Sequence, residues 1–200
     1  MFRSRRLWIV AVLAVISLLT AAYSIRHHLR YGGFAPHDRG MVYRAGRLEP
    51  DVVAELIETH QFRTVVGLCD PQDPQETSAG HWSRERRAVE QAGATWVLMP
   101  LPASIAADDP SVAQAIDVLR DPDNYPVLVY CPQGVARTAT FLVMYDVLFC
   151  GMAAEDSLRW LPLPEQDRRD GNVRAFAQEF ERRHGELYPT ASADDLKILR

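Results

Sequence analysis

No part of this chain leaves folding less choice than Val127–Phe149, which reads V-L-V-Y-C-P-Q-G-V-A-R-T-A-T-F-L-V-M-Y-D-V-L-F. A short apolar run ends at Cys131, a tight loop follows, and an apolar segment too long for a strand begins directly after it. That order predicts a strand, a loop and a helix. The loop turns successive backbone N–H groups inward at the positive end of a helix, the geometry that holds a tetrahedral oxyanion. Gly134 falls mid-loop, where close backbone approach or a positive φ excludes a side chain. Arg137 stands at the helix start, where its planar fork suits two oxygens of one phosphoryl group.

Cys131 lies at the bottom of this nest, where the amides, the helix end and the guanidinium favour thiolate over thiol. Thr138 is one residue beyond Arg137, and its hydroxyl can donate to the sulfur. Together these groups form a nucleophile for phosphoryl transfer: in-line attack, a cysteinyl-phosphate, then hydrolysis by water. A poor leaving group also needs a carboxylic acid from another loop. The plain alternative is a buried strand-end cysteine beside an arginine with no ligand.

The stretch C-P-Q-G-V-A-R-T resembles the signature of the cysteine-dependent protein tyrosine phosphatases, His-Cys-x5-Arg-Ser/Thr, and within them the compact dual-specificity-like group. The resemblance implies a phosphate-binding loop of Pro132, Gln133, Gly134, Val135, Ala136 and Arg137, with Cys131 as nucleophile. It departs from the pattern twice. Tyr130 stands where the family has histidine, and Ala139 where glycine commonly follows. Tyr130 can support the thiolate through a hydrogen bond from behind the loop. The Y-R-A-G-R-L-E-P stretch from Tyr43 also matches the family's opening, and the resemblance runs from about Tyr43 to Arg183. Arg44 within it is read first as a structural ion-pair partner and second as part of the pocket rim.

Strand-helix alternation predicts an α/β fold, a mostly parallel sheet flanked by helices, preceded by one N-terminal hydrophobic segment. Strands are expected at Met41–Ala45, Thr64–Leu68, Thr95–Leu101 and from Val127. Helices are expected at Asp51–His60, Trp82–Gln91, Ser111–Leu119, Thr138–Phe149, Ala153–Trp160 and Asn172–Arg183. The helix over Trp82–Gln91 reads as a solvated, arginine-rich face. Ligands gather at the C-terminal ends of such strands, where the Cys131 loop and the Pro102–Pro110 loop both lie. The Asp70–His81 loop, rich in proline and acid, reads as exposed.

The resemblance places the general acid on the loop before the nucleophile's strand, here Pro102–Pro110. Asp108 is the candidate there. Asp109 is the second choice and suits a helix cap before Ser111 equally well. Asp70, which also follows a strand, is the reserve. None of Pro132, Gln133, Val135 and Ala136 is basic, which argues for a monophosphate such as phosphotyrosine or a small phosphomonoester. A phosphoinositide or other lipid phosphate is the alternative within the enzyme class. A phosphate-binding pseudophosphatase acting as a membrane-tethered interaction module is the alternative outside it, and a sulfur-transfer enzyme fits the C-x5-R-T spacing less well. The mechanism calls for no cofactor and no metal.

Residues Leu7–Tyr23 form an apolar run interrupted only by Ser17 and Thr20, with Arg3, Arg5 and Arg6 before it and Arg26, His27, His28 and Arg30 after. The run is at the short edge of a membrane span. Slightly heavier positive charge on the N-terminal side predicts N-inside, with the catalytic domain outside or periplasmic. Secretion after signal cleavage is the alternative. The expected organisation is an anchor or signal segment at 1–30, a linker at 31–40, a catalytic domain at 41–185 and a tail at 186–200.

The formal charge is −4, with 22 basic and 26 acidic residues. Five arginines and no acid precede residue 31, so the remainder carries 17 basic against 26 acidic residues. So acidic a domain does not bind nucleic acid non-specifically. Three cysteines without a C-x-x-C pair argue against both a disulfide framework and a Cys-rich zinc site. Cys69 and Cys150 read as small core hydrophobes, with a regulatory disulfide to Cys131 left without direct support.

Overall fold

The computed structural model of the chain describes residues 2–70, 72, 79–102 and 104–185. The tail at 186–200 and most of the loop after Asp70 therefore lie outside the described residues.

A five-stranded sheet forms the centre, in the order β1 (Ala35–Asp38), β2 (Val42–Ala45), β5 (Val127–Tyr130), β3 (Thr64–Cys69) and β4 (Thr95–Pro100). The pairings β2–β5, β5–β3 and β3–β4 are parallel, but β1 runs antiparallel to β2, so the sheet is mixed rather than purely parallel. Val42 and Thr64 both pair with Val127. The three inner strands are thus in step, and their C-terminal ends open together at one edge. β5 is buried throughout, as its unbroken apolar sequence requires.

Helices cover both faces. α2 (Pro50–His60) and α3 (Ala79–Gln91) lie on one, and α4 (Pro110–Arg120) and α5 (Ala136–Phe149) on the other, with α6 (Ala154–Trp160), α7 (Glu165–Asp170) and α8 (Asn172–His184) closing over α5. Every residue of α5 from Thr138 to Leu148 is buried, because the sheet, α4, α6 and α8 surround it. Each such Leu, Phe or Met contributes roughly 1.5–3 kcal/mol. The rigid rod that results is the one whose first turn carries Arg137.

The segment Tyr31–Asp38, expected as linker, instead contains β1. Pro36 and the nearby glycines are loop signals, yet an edge strand tolerates proline. β1 is also fastened to the core from behind. Tyr145 Oη donates to Asp38 Oδ2 at 2.7 Å, and His37 Nε2 lies 2.7 Å from Asp146 Oδ1. The Asp146 carboxylate is buried within α5 and also accepts from Ser157 Oγ at 2.5 Å. Two elements, β1 and α6, thereby satisfy one interior acid of α5.

α1 runs from Phe2 to Tyr31, longer than the apolar run alone. Val12, Leu13, Val15, Ile16, Leu18 and Leu19 on it are exposed. Among the described residues, one stretch, Val12–Tyr31 with a mean hydropathy of 1.3, is long and apolar enough to cross a membrane. Its last turn docks onto the domain: Arg30 Nη2 and Tyr31 Oη reach the two oxygens of Glu55 on α2, at 2.8 and 2.6 Å. Phe34 stacks on Tyr43 with 5.7 Å between ring centroids and meets Phe62 edge-on.

Candidate active site

β5 delivers Cys131 to the sheet edge, and the chain turns at once into α5. The thiol is buried, and the backbone N–H of Gly134 points at its sulfur with N···Sγ of 3.2 Å. The same N–H lies 3.2 Å from the Cys131 carbonyl, which closes the turn. Gly134 has φ of +67°, and a Cβ there would stand 2.6 Å from Gly46 N and 2.7 Å from Ala45 O. Two independent reasons, left-handed backbone and contact with the turn after β2, thus require glycine. Arg47 N donates to the Pro132 carbonyl at 3.3 Å, so that turn supports the loop from outside.

Arg137 sits half-buried in the first turn of α5. No side chain caps that helix, although the first N–H groups of any helix lack intrahelical acceptors. The first turn of the helix therefore opens on the loop that Cys131 floors. Thr138 Oγ1 is fully buried and has no hydrogen-bond partner among the described residues, so the expected donation to the sulfur is not made in this structure. The hydroxyl is nonetheless a buried donor in reserve.

Tyr130 is 1% exposed and occupies the position directly before Cys131. Behind it stands a residue that sequence reasoning missed, Glu85 of α3, which is 0% exposed. Burial pushes the Glu85 carboxyl up to about 7, against the opposing pull of the Tyr130 hydroxyl, Arg47 and Arg84. Burial, and then the neighbouring Glu85 charge, raise the Tyr130 phenol well above its ordinary range. The two groups interact without the short, aligned geometry of a full hydrogen bond. A signal for Glu85 exists in the sequence. It lies three residues after Trp82 and four before Val89, both buried, and so shares their face of α3. The arginine-rich face is real, but Glu85 is on the other one.

The candidate acids separate. Asp109 caps α4, its Oδ1 accepting from Ser111 N at 2.9 Å and from Ser111 Oγ at 2.5 Å. Those two bonds, the side-chain one first, hold its carboxyl below the usual range. Asp108 is exposed and pairs with Arg183 Nη2 of α8 at 3.4 Å. The two hollows that Asp108 lines are built around α4 and α8 and include no phosphate-loop residue. Asp70 follows β3, and its Oδ1 accepts from Gln72 N at 2.9 Å. Gly67 pairs with Tyr130, so Leu68 is level with Cys131. Asp70 then stands two residues, roughly 7 Å, farther past the sheet edge on the neighbouring strand.

Arg44 of β2 is half-buried and borders a cleft beside the phosphate loop, with burial lowering its pKa. It has no ion pair among the described residues, so the structural pairing expected for it is not formed. Cys69 is buried as expected, whereas Cys150, at the end of α5, is exposed and not part of the core. The helix reaches the surface there, which composition alone did not reveal.

The strand order, the loop and the α5 rod together are the fold of the cysteine-dependent protein tyrosine phosphatases. Among solved structures, the chain is similar to a cysteine-to-serine form of P. aeruginosa TpbA in complex with pTyr, with 21% identity, TM-score 0.53, and 74% of this chain and 84% of that one covered. It is also similar to the core catalytic domain of the PP-IP phosphatase SIW14 from S. cerevisiae, with 17% identity, TM-score 0.53, and coverage of 85% and 91%. Tk-PTP in its active form aligns with 22% identity, TM-score 0.50, and coverage of 72% and 93%. No protein-family model matches the chain. No curated protein matches it in sequence either.

Proposed function

We propose that this chain is a cysteine-dependent phosphomonoester hydrolase of protein-tyrosine or dual-specificity type. The observation that carries the reading is the Gly134 N–H aimed at the buried Cys131 sulfur, with Arg137 in the uncapped first turn behind it. The Cys131 thiolate attacks phosphorus in line, and the bond from phosphorus to the leaving oxygen breaks as the S–P bond forms. Loop amides and Arg137 take the charge on the equatorial oxygens. A carboxylic acid gives its proton to the leaving oxygen. The resulting carboxylate then takes a proton from the water that attacks the cysteinyl-phosphate, releasing phosphate and restoring the thiolate.

Two carboxylates compete for the acid's role. Asp108 has the loop position in its favour, but must leave Arg183 to reach the leaving oxygen. Asp70 has the sheet register in its favour, one strand from β5. The exposed apolar part of α1 up to Tyr23, ahead of the turns docked on the domain, supports anchoring in a bilayer with the N-terminus inside and the catalytic domain outside or periplasmic.

The test is hydrolysis of p-nitrophenyl phosphate by the full chain in detergent micelles, with a reducing agent and a chelator, beside Cys131→Ser and Arg137→Ala. Turnover lost by at least a thousandfold in the first and a hundredfold in the second is the expected result. A folded wild-type chain without turnover, yet able to bind vanadate, would instead be a binding module.

A further inference from the structure

α1 does more than end at the domain. Its last two turns form one wall of a cleft of about 660 Å³ whose opposite wall is the rim of the phosphate loop, Gln133–Val135. Tyr23, His27 and Tyr31 form a ladder of rings along the helix wall, with centroids 6.0 and 4.5 Å apart, and His28 lies over Gly33 beside them. Arg44 borders the cleft, half-buried and without an ion pair among the described residues.

The wall is held in place. Gly46 N donates to the Gly32 carbonyl at 2.6 Å, and the Arg30 and Tyr31 contacts with Glu55 fix the helix end against α2. No aspartate or glutamate lines the cleft among the described residues. The phosphate loop brings no cation besides Arg137, while the adjoining cleft supplies two histidines and an arginine. Arg44 also borders a hollow that Asp38 and Asp146 line, but neither forms an ion pair with it, so an anion entering from solvent lowers the cost of the half-buried guanidinium.

We propose that this cleft is a second anion subsite, which receives an acidic group carried by the substrate beside the phosphoryl group being cleaved. The inference rests on the phosphatase reading of the Cys131 loop and deepens it. The preferred substrate is then a phosphomonoester with a second negative group, such as phosphotyrosine flanked by acidic residues. The ring ladder offers apolar faces to the linking portion, and Arg44 and the two histidines meet the anion.

The experiment compares kcat/KM of the full chain in neutral detergent micelles for two phosphotyrosyl peptides, identical except for glutamate or alanine flanking the phosphotyrosine. Wild type is expected to favour the glutamate peptide by about tenfold, as one or two exposed charge-assisted hydrogen bonds would give. Arg44→Met, and separately the His27→Ala/His28→Ala double variant, should each cut that ratio at least threefold. A ratio does not depend on how much of a variant is folded, so partial misfolding cannot imitate the result. A wild-type ratio near one, or a ratio unchanged in both variants, overturns the subsite. So does a preference that vanishes in phosphatidylcholine nanodiscs, because the cleft then belongs to the lipid headgroups. Failure of the phosphatase reading looks different: wild type would hydrolyse neither peptide.

Discussion

Replacing Glu85 with glutamine should flatten the dependence of stability on pH. The native carboxyl is fully buried and titrates at about 7, against an ordinary value of 4.5. The folded state therefore holds its proton more tightly than the unfolded state does. The associated stability is complete below about pH 4.5 and is lost as pH rises from there through 7. At about 1.36 kcal/mol for each pH unit between those two values, going from pH 5 to pH 8 should remove roughly 2–3 kcal/mol through this one group. Glu85→Gln keeps the shape and cannot ionise, so the pH 5 to pH 8 loss should shrink by that amount. Other titrating groups contribute equally to both proteins and cancel in the difference. For a domain of this size the effect is about 5–10 °C in Tm at pH 8. Urea unfolding of both full-length proteins in detergent micelles at pH 5, 6, 7 and 8 reads it directly. Parallel curves for the two proteins would refute the reasoning, because the carboxyl would then ionise in the native state as readily as in the unfolded one.

Further predictions concern the loop and its acids. Gly134→Ala places a Cβ against Gly46 N and Ala45 O in left-handed backbone, and should lower kcat on p-nitrophenyl phosphate at least a hundredfold; near-normal turnover would mean the loop is not held as described. Asp109→Ala removes the cap of α4 and should cost about 1 kcal/mol in urea unfolding while kcat falls less than threefold; a large loss of kcat would return Asp109 to the catalytic candidates. Asp70→Asn and Asp108→Asn are compared on phenyl phosphate and p-nitrophenyl phosphate. The true general acid should show a loss at least tenfold greater on the poorer leaving group, and an equal loss on both esters removes a residue from candidacy.

The strand-loop-helix geometry around Cys131 was legible because it is local. Cys131, Gly134, Arg137 and Thr138 lie within eight consecutive positions, and a strand-loop-helix order leaves them one mutual arrangement. The inner strands and most helices were legible for the same reason, since each has its own period and punctuation. Features resting on distant partners were not. β1 is stabilised by Tyr145 and Asp146, more than a hundred residues away, so Pro36 and its glycines read as linker. Glu85 acquires its meaning only once α3 is laid against Tyr130. The capping role of Asp109 was one of two local readings, and the Ser111 bonds select it. The Asp108–Arg183 pair joins α8 to the loop before α4, a contact no spacing rule could anticipate.

The turn after β2 connects these features mechanically. Gly46 N is held by the Gly32 carbonyl at the end of α1, and Arg47 N holds the Pro132 carbonyl of the phosphate loop. Gly134 packs onto the same turn so closely that no Cβ fits between them. Three successive backbone contacts therefore run from the end of α1 to the loop that floors Cys131, with no flexible side chain in the path. Close-packed backbone transmits displacement rather than absorbing it. The helix end and the loop after Cys131 consequently keep a fixed relation, which lets residues as early as Tyr23 and His27 form a wall opposite Gln133–Val135. A helix joined through an extended linker would be free to rotate against the domain and would build no such cleft.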